Sequence, residues 1–368
     1  MDLVDNRERS PAYRTDEEAL SVLTELNDYL GKFEERLAER VPEANQPIVV
    51  IGGLPRSGTT LLYQLLAGCC HVGYVNNVMA RFWNAPRTGV VVARHVSDRG
   101  KRAALDLTSD LGATAGLAGP HEFGYFWTKW LRLDETESHL LTDEEADRVD
   151  WPGLARCLRQ MTGLFGRPLV LKNHVACWNA PRLYPHLPEL SLVLVQRDPY
   201  YVIQSIYLAR KGRYGDAHHW WSLKPPSFGR AQAEADPIRQ IVRQVVDSQA
   251  IMDQLQVRYA GACLSFEYQQ IRRCPAEVLG AIAARCGLDL LDGASLPVAS
   301  AFPDGDRCQL GADEERHIRQ ILADFETQAA GSRSECIARG NGPEQHRQDH
   351  GAHGGPETEQ RVARIKAG

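Results

Sequence analysis

The stretch Val49-Val50-Ile51-Gly52-Gly53-Leu54-Pro55-Arg56-Ser57-Gly58-Thr59-Thr60-Leu61-Leu62 decides the fold. Ile48 to Ile51 is a short run of β-branched residues, the pattern of a buried strand. Gly52-Gly53 break the run, and Thr59 to Ala67 resumes as a helix carrying Leu61, Leu62, Leu65 and Leu66. A helix that starts directly from a glycine-rich turn presents unpaired backbone N–H groups and a partial positive charge, which together attract a phosphate. Gly58 lets the backbone come close to such a ligand. Ser57, Thr59 and Thr60 add hydroxyl groups, and Arg56 adds a cation from within the loop.

Gly53 and Gly58 keep the spacing of the nucleoside-triphosphate loop G-x-x-x-x-G-K-[ST], but Thr59 stands at its lysine position. The usual contact to β- and γ-phosphates is therefore missing. A kinase-like phosphotransferase is the alternative this leaves open, and it also lacks a clear acidic strand end to hold Mg²⁺. Arg56 suits a donor with one 5′-phosphate carrying a charged transferring group.

A second anion-binding element follows. Leu192 to Val195 reads as another buried strand, and it runs through Gln196 into Arg197-Asp198-Pro199. Pro199 fits the first turn of a helix, which places Ser205 about two turns further on. An arginine at a strand end and a hydroxyl on the next helix can converge on one phosphate, the guanidinium offering a rigid fork of donors.

Around these elements the chain is that of an ordinary globular protein. It has 368 residues, 43% hydrophobic and 24% charged, with a formal net charge of -5. That balance gives no general pull toward nucleic acid or an anionic membrane. The first residues, MDLVDNRERSPAYRTDEE, lack an apolar signal region, and no stretch approaches the roughly 18 apolar residues of a membrane span. Nine cysteines without a CxxC pair argue for reduced thiols in the cytoplasm and against a zinc site.

Thr15 to Glu18 reads as a capping box, followed by an amphipathic helix with Leu20, Leu23, Leu26, Leu30 and Phe33, ending before Val41-Pro42. Leu169 to Leu171, Ser191 to Val195 and Cys263 to Phe266 are further strand candidates. Pro237 to Gln256 and Pro275 to Cys286 are long helices. The alternation predicts an α/β fold with a central parallel sheet flanked by helices. The expected organisation is a helical lead over 1–46, one domain over 47–330, and a disordered tail over 331–368, where Gly, His, Glu, Arg and Gln dominate.

Pro55-Arg56-Ser57-Gly58-Thr59-Thr60 resembles the 5′-phosphosulfate-binding loop of sulfotransferases that use 3′-phosphoadenosine 5′-phosphosulfate (PAPS). The form is that of the tyrosyl-protein and many bacterial enzymes, whereas cytosolic mammalian-type members have lysine where Arg56 stands. Arg197-Asp198-Pro199 with Ser205 resembles the family's 3′-phosphate element, and the likeness spans roughly residues 47 to 290. The resemblance implies the P-loop-like sulfotransferase fold. It also implies that Arg56, Ser57, Gly58, Thr59 and Thr60 hold the 5′-phosphate, that Arg56 assists transfer, and that Arg197 and Ser205 hold the 3′-phosphate. The co-substrate is then PAPS, the product PAP, and no metal is required. The acceptor is a hydroxyl on a small molecule such as a secondary metabolite, lipid or glycoside. A nucleotide-binding regulatory module that has lost catalysis is the non-enzymatic alternative.

Leu171-Lys172-Asn173-His174 resembles the family's L-K-x-P segment, with His174 in place of proline, and makes Lys172 the second catalytic cation. The glutamate that follows the first helix in tyrosyl-protein enzymes has no counterpart in His71 to Asn77. The base is then expected in Gly119 to Trp127, where an aromatic setting would raise a carboxyl toward a useful pKa. Glu122 is the first candidate, followed by His174 and His121. Arg210-Lys211-Gly212-Arg213-Tyr214-Gly215-Asp216 imitates the family's R-K-G-x-x-G-D loop but lies too early in the chain. His218-His219-Trp220-Trp221 with Lys224-Pro225 offers an acceptor wall or core packing.

Overall fold

A computed structural model describes residues 6–97, 107–291 and 305–338. Five parallel strands form one sheet in the order β2-β3-β1-β4-β5: β1 is Ile48–Gly53, β2 Gly73–Tyr74, β3 Leu169–Lys172, β4 Leu190–Gln196 and β5 Cys263–Glu267. The strand candidates and the α/β class read from the sequence are thus present. The central strand β1 is buried along its whole length. Its side chains alternate: Ile48 and Val50 join one core with Leu169, Leu171, Leu192, Trp127 and Trp178. Val49 and Ile51 join another with Val170, Val193, Leu62, Leu65 and Ile282. A period of two with both faces apolar is what a strand covered by helices on both sides requires.

Those helices include Thr59–Cys69 after β1, His174–Leu183 after β3 and Pro199–Tyr214 after β4. A third core forms where Tyr200, Ile203 and Ile206 meet Ile238, Ile241 and Val245 of the helix Pro237–Arg258, closed by Ile318, Ile321 and Phe325. Residues up to Phe325 belong to one compact unit. The helix Ala312–Ala338 continues into the stretch read as a tail; positions from 339 onward lie outside the described residues. Among the described residues no helix is long and apolar enough to cross a membrane.

The N-terminal helix departs from expectation in two respects. It spans Glu17–Arg40, and its cap is Asp16, whose carboxylate accepts from Ala19 N–H at 3.0 Å. The capping box on Thr15 does not form, because Arg9 donates to the Thr15 hydroxyl at 2.8 Å, and a carboxylate suits a helix N-terminus better. The leucine stripe is also only half used. Leu26 and Phe33 are exposed, while Asn27 and Glu34 are buried. Asn27 donates to the Arg81 carbonyl, and Glu34 accepts from the Arg87 backbone and side chain. The helix docks through these polar side chains together with Leu20 and Leu23, which pack against the first core.

Candidate active site

A cavity of about 1810 Å³ lies at the carboxyl ends of β1, β3 and β4. Parallel strands deliver all three ends to the same side, where such folds place ligands. Arg56, Gly58, Thr59, Thr60, Glu122, Lys172, His174, His121, Arg197 and Ser205 all line it. Elements far apart in sequence are thus brought to one space. Ser57 is the exception: it is fully buried behind the loop, and its Oγ has no hydrogen-bond partner among the described residues.

The turn after β1 is backbone-strained where the ligand would lie. Arg56 has φ 68° and Gly58 φ 101°, both left-handed. A Cβ on Gly58 would come within 2.5 Å of the Tyr268 ring, so glycine is required on two counts. Gly58 caps the helix Thr59–Cys69 with no side-chain hydrogen bond, which leaves the first-turn N–H groups to other partners. Arg56 Nε donates to Ser205 Oγ at 3.0 Å, joining the two phosphate-type elements directly. Burial, with Arg197 close by, pulls the Arg56 guanidinium below its ordinary pKa.

Arg197 leaves the end of β4 and ties the site together. One terminal nitrogen donates to the Arg56 carbonyl at 2.6 Å and the other to the Gly305 carbonyl at 2.7 Å, while Nε pairs with Asp306 at 2.8 Å. Its guanidinium lies 4.6 Å from the Tyr268 ring centroid. Asp198 caps the following helix by accepting from Tyr200 N–H, with Pro199 in its first turn as the sequence indicates. Neither Asp306 nor Tyr268 is expected at this site from the sequence. Neither carries a local pattern that points back to Arg197.

Lys172 is the last residue of β3, in register with Ile51. Its ammonium donates to Thr60 Oγ1 at 3.0 Å and forms an ion pair with Glu122. The Lys172 side chain is 3% exposed and that of Glu122 40%, so the carboxylate is the member that faces the cavity. A Cβ on Gly112 would lie 3.4 Å from Glu122 Oε1 and 3.8 Å from Lys172 Nζ, which makes the 107–121 segment the roof of this pair. The upward pKa shift expected for Glu122 is not found. Burial does push it up, but Lys172, with His174 beside it, outweighs burial and holds the carboxyl well below its usual range.

The two histidines differ in what their fixed nitrogen leaves free. His174 Nδ1 lies 2.8 Å from the Gly53 carbonyl, which can only accept, so the proton sits on Nδ1 and Nε2 keeps a lone pair. Burial, and then Lys172, lower His174 to about 4, leaving it neutral near pH 7. His121 Nδ1 instead accepts from Phe123 N–H at 2.9 Å, so its proton sits on Nε2, which is left as a donor. His174 occupies the first position of its helix, with Asn173 as the cap accepting from Ala176 N–H. That position tolerates proline well, so the helix start accommodates either residue.

The stretch 210–216 contributes little to the cavity. Arg210 is fully buried, donates to Gln244 at 3.0 Å and to Gln240, and lies over Trp220 at 4.9 Å. Lys211 pairs with Glu314 at 3.5 Å. Of its cations only Arg213 lines the cavity. Trp220 is core, edge-on to Phe228, and Trp221 reaches the cavity wall. Among the described residues no group of His, Cys, Asp and Glu is placed to hold a metal ion.

The model of the sulfotransferase family matches residues 47–292, and the chain belongs to that family. Its fold is similar to that of sulfotransferase STF9 from Mycobacterium avium, at 17% identity over 87% of this chain and 86% of that one, with a TM-score of 0.51. Sulfotransferase STF1 from Mycobacterium tuberculosis H37Rv is matched at 17% identity over 80% and 81% of the two chains, TM-score 0.48. A sulfotransferase from Alicyclobacillus acidocaldarius is matched at 17% identity over 76% and 92%, TM-score 0.38. No curated protein matches the sequence. The kinase-like alternative has no support from these matches.

Proposed function

We propose that this sulfotransferase moves the sulfuryl group of PAPS to a hydroxyl of a small-molecule acceptor in the cytoplasm, with residues 47–330 as the catalytic domain and 1–46 as a helical lead. One observation carries the reading: two cationic elements, from the ends of adjacent strands β1 and β4, are hydrogen-bonded to each other on one cavity. A donor with two separate phosphates needs such a pair. The open helix start at Gly58 fits a phosphate as well. When bound, PAPS supplies the sulfuryl group and departs as PAP.

In this reading Arg56 and Gly58 to Thr60 bind the 5′-phosphate, with the buried Ser57, whose N–H bonds the Leu54 carbonyl, shaping the turn, and Arg197 and Ser205 bind the 3′-phosphate. Lys172 stabilises charge on the oxygens of the transferring group. Glu122 takes the acceptor proton, and its pairing with Lys172 supports a coupled role. Once Lys172 turns toward the donor, the carboxylate loses its main stabilising partner and becomes a better base. His174, with a free Nε2, is the second candidate. His121, a fixed donor, suits binding of an oxygen rather than proton abstraction. No metal takes part in this scheme.

The test is incubation with PAPS and a panel of hydroxylated metabolites, read by mass spectrometry. A product heavier by SO₃ together with stoichiometric PAP is expected. Phosphoryl transfer from ATP to the same panel would contradict the reading.

A further inference from the structure

The cavity is larger than the donor alone needs. A single small-molecule site occupies roughly 300–1,000 Å³, against about 1810 Å³ here. The remainder, on the far side of the Lys172–Glu122 pair, has a distinct chemistry. Its wall carries Val78, Phe82, Val92, Leu107 and Leu111, and Leu117 stands at the rim with 66% of its surface exposed. Among the described residues of that wall lies one cation, the exposed Arg81, at the end of the short 3₁₀ turn Met79–Arg81. The Asn27 side chain fixes this turn by donating to the Arg81 carbonyl at 2.8 Å.

Arg81 stands apart from the other cations lining the cavity. Arg56 is bonded to Ser205, Lys172 to Glu122 and Thr60, Arg197 to Asp306, and Arg213 lies over the Tyr13 ring. The Arg81 guanidinium has no hydrogen bond or ion pair among the described residues. It lines the cavity together with His121, whose Nε2 carries the proton because Nδ1 accepts from Phe123 N–H. The carboxylate beside them, Glu122, is already paired with Lys172, so the Arg81 guanidinium and the His121 N–H are left to a ligand. An anion would satisfy both groups, and an apolar body would cover the leucine and valine surface.

The geometry points to an acceptor that is an anionic amphiphile: a hydroxylated molecule with an apolar body and a carboxylate or phosphate that binds at Arg81 and His121. This rests on the sulfotransfer reading of the site but concerns only its acceptor half. The probes are dodecanoic acids hydroxylated at successive positions, each compared with its methyl ester. Binding is measured by calorimetry on the full chain, with and without PAP, and sulfation with PAPS by mass spectrometry. The acid is expected to bind at least about ten-fold more tightly than its ester, the scale of one lost charge-assisted contact. Arg81→Gln should bring the acid down to the ester's affinity and leave PAP affinity unchanged.

Equal affinity of acid and ester for the wild type would overturn the inference, as would an Arg81→Gln variant that keeps the preference. An acid preference without any PAP binding would sink the donor assignment while leaving the acceptor assignment standing. If PAP binds normally and only neutral sugars are sulfated, the acceptor assignment alone falls. Replacement by hydroxyalkyl phosphates of equal length distinguishes a phosphate from a carboxylate as the preferred anion.

Discussion

The two walls of the cavity are built in different ways. The donor wall consists of strand ends and helix starts: Gly53 to Thr60 after β1, Lys172 to His174 after β3, and Arg197 to Ser205 after β4. Its groups are held by register, by capping and by direct bonds such as Arg56–Ser205. The opposite wall, from Asn77 to Phe82 and from Leu107 to Glu122, consists mostly of connections tied by side-chain to backbone hydrogen bonds, such as Asn77 to the Thr114 and Gly116 carbonyls. A rigid scaffold bearing variable loops is the usual division between conserved chemistry and changeable specificity. Changes on the first wall should therefore affect donor binding and turnover, and changes on the second should affect which acceptor is used.

The largest expected effect tests where the two walls meet. Glu122→Gln keeps shape but cannot accept a proton, so the rate should fall on the order of 10²–10⁴-fold with PAP affinity nearly unchanged. If His174→Ala collapses instead and Glu122→Gln stays active, the base is His174. Lys172→Ala should lower kcat by about 10²–10³-fold while weakening PAP far less, because it meets charge that develops during transfer.

The pH profile sharpens the same point. Glu122 is held below its usual range, so its basic form is present above that depressed value and is lost only as pH falls through it. His174 likewise keeps its lone pair until pH falls through about 4. The acidic limb of kcat/KM for the free enzyme is therefore expected below about pH 5 with either base. A limb centred near pH 6 to 7 would show that the Lys172–Glu122 pair does not persist in solution.

Intermediate effects belong to binding. Arg197→Ala should weaken PAP about ten- to a hundred-fold by calorimetry, the loss of a contact worth roughly 1.5–3 kcal/mol. Lys211→Ala, in the look-alike stretch 210–216, should change PAP affinity less than about two-fold, since an exposed ion pair is worth roughly 0–1 kcal/mol. A larger loss would return that stretch to the donor wall. The smallest effect is expected from ending the chain at Ala338, since Ile318, Ile321 and Phe325 already close the third core. A drop in melting temperature would show that the later residues pack.

The strand ends and helix starts of the first wall were legible because each is a local pattern. A β-branched run, a glycine pair and a leucine repeat identify β1 and its helix, and Arg197-Asp198-Pro199 announces a strand end and a helix start. The partners that complete it were not legible. Asp306 reaches Arg197 across 109 positions, and Glu122 reaches Lys172 across 50. Neither contact leaves a periodic signal. The same holds for the first helix, where periodicity gave the helix but not its buried face. Asn27 and Glu34 are buried because Arg81 and Arg87 lie opposite, more than fifty residues on. The pKa of Glu122 was misread for a related reason: an aromatic neighbourhood is visible in sequence, but the lysine that overrides it is not.

The claim that two phosphate elements face one donor is tested most directly by titrating the protein with PAP, 5′-AMP and ATP in the presence of a metal chelator. PAP is expected to bind tightly without metal, AMP more weakly by about ten-fold or more for want of the 3′-phosphate contact, and ATP no better than AMP. Arg197→Ala should reduce PAP toward AMP and leave AMP itself nearly unchanged. Equal affinity for PAP and AMP, or binding of ATP that requires Mg²⁺, would contradict the account.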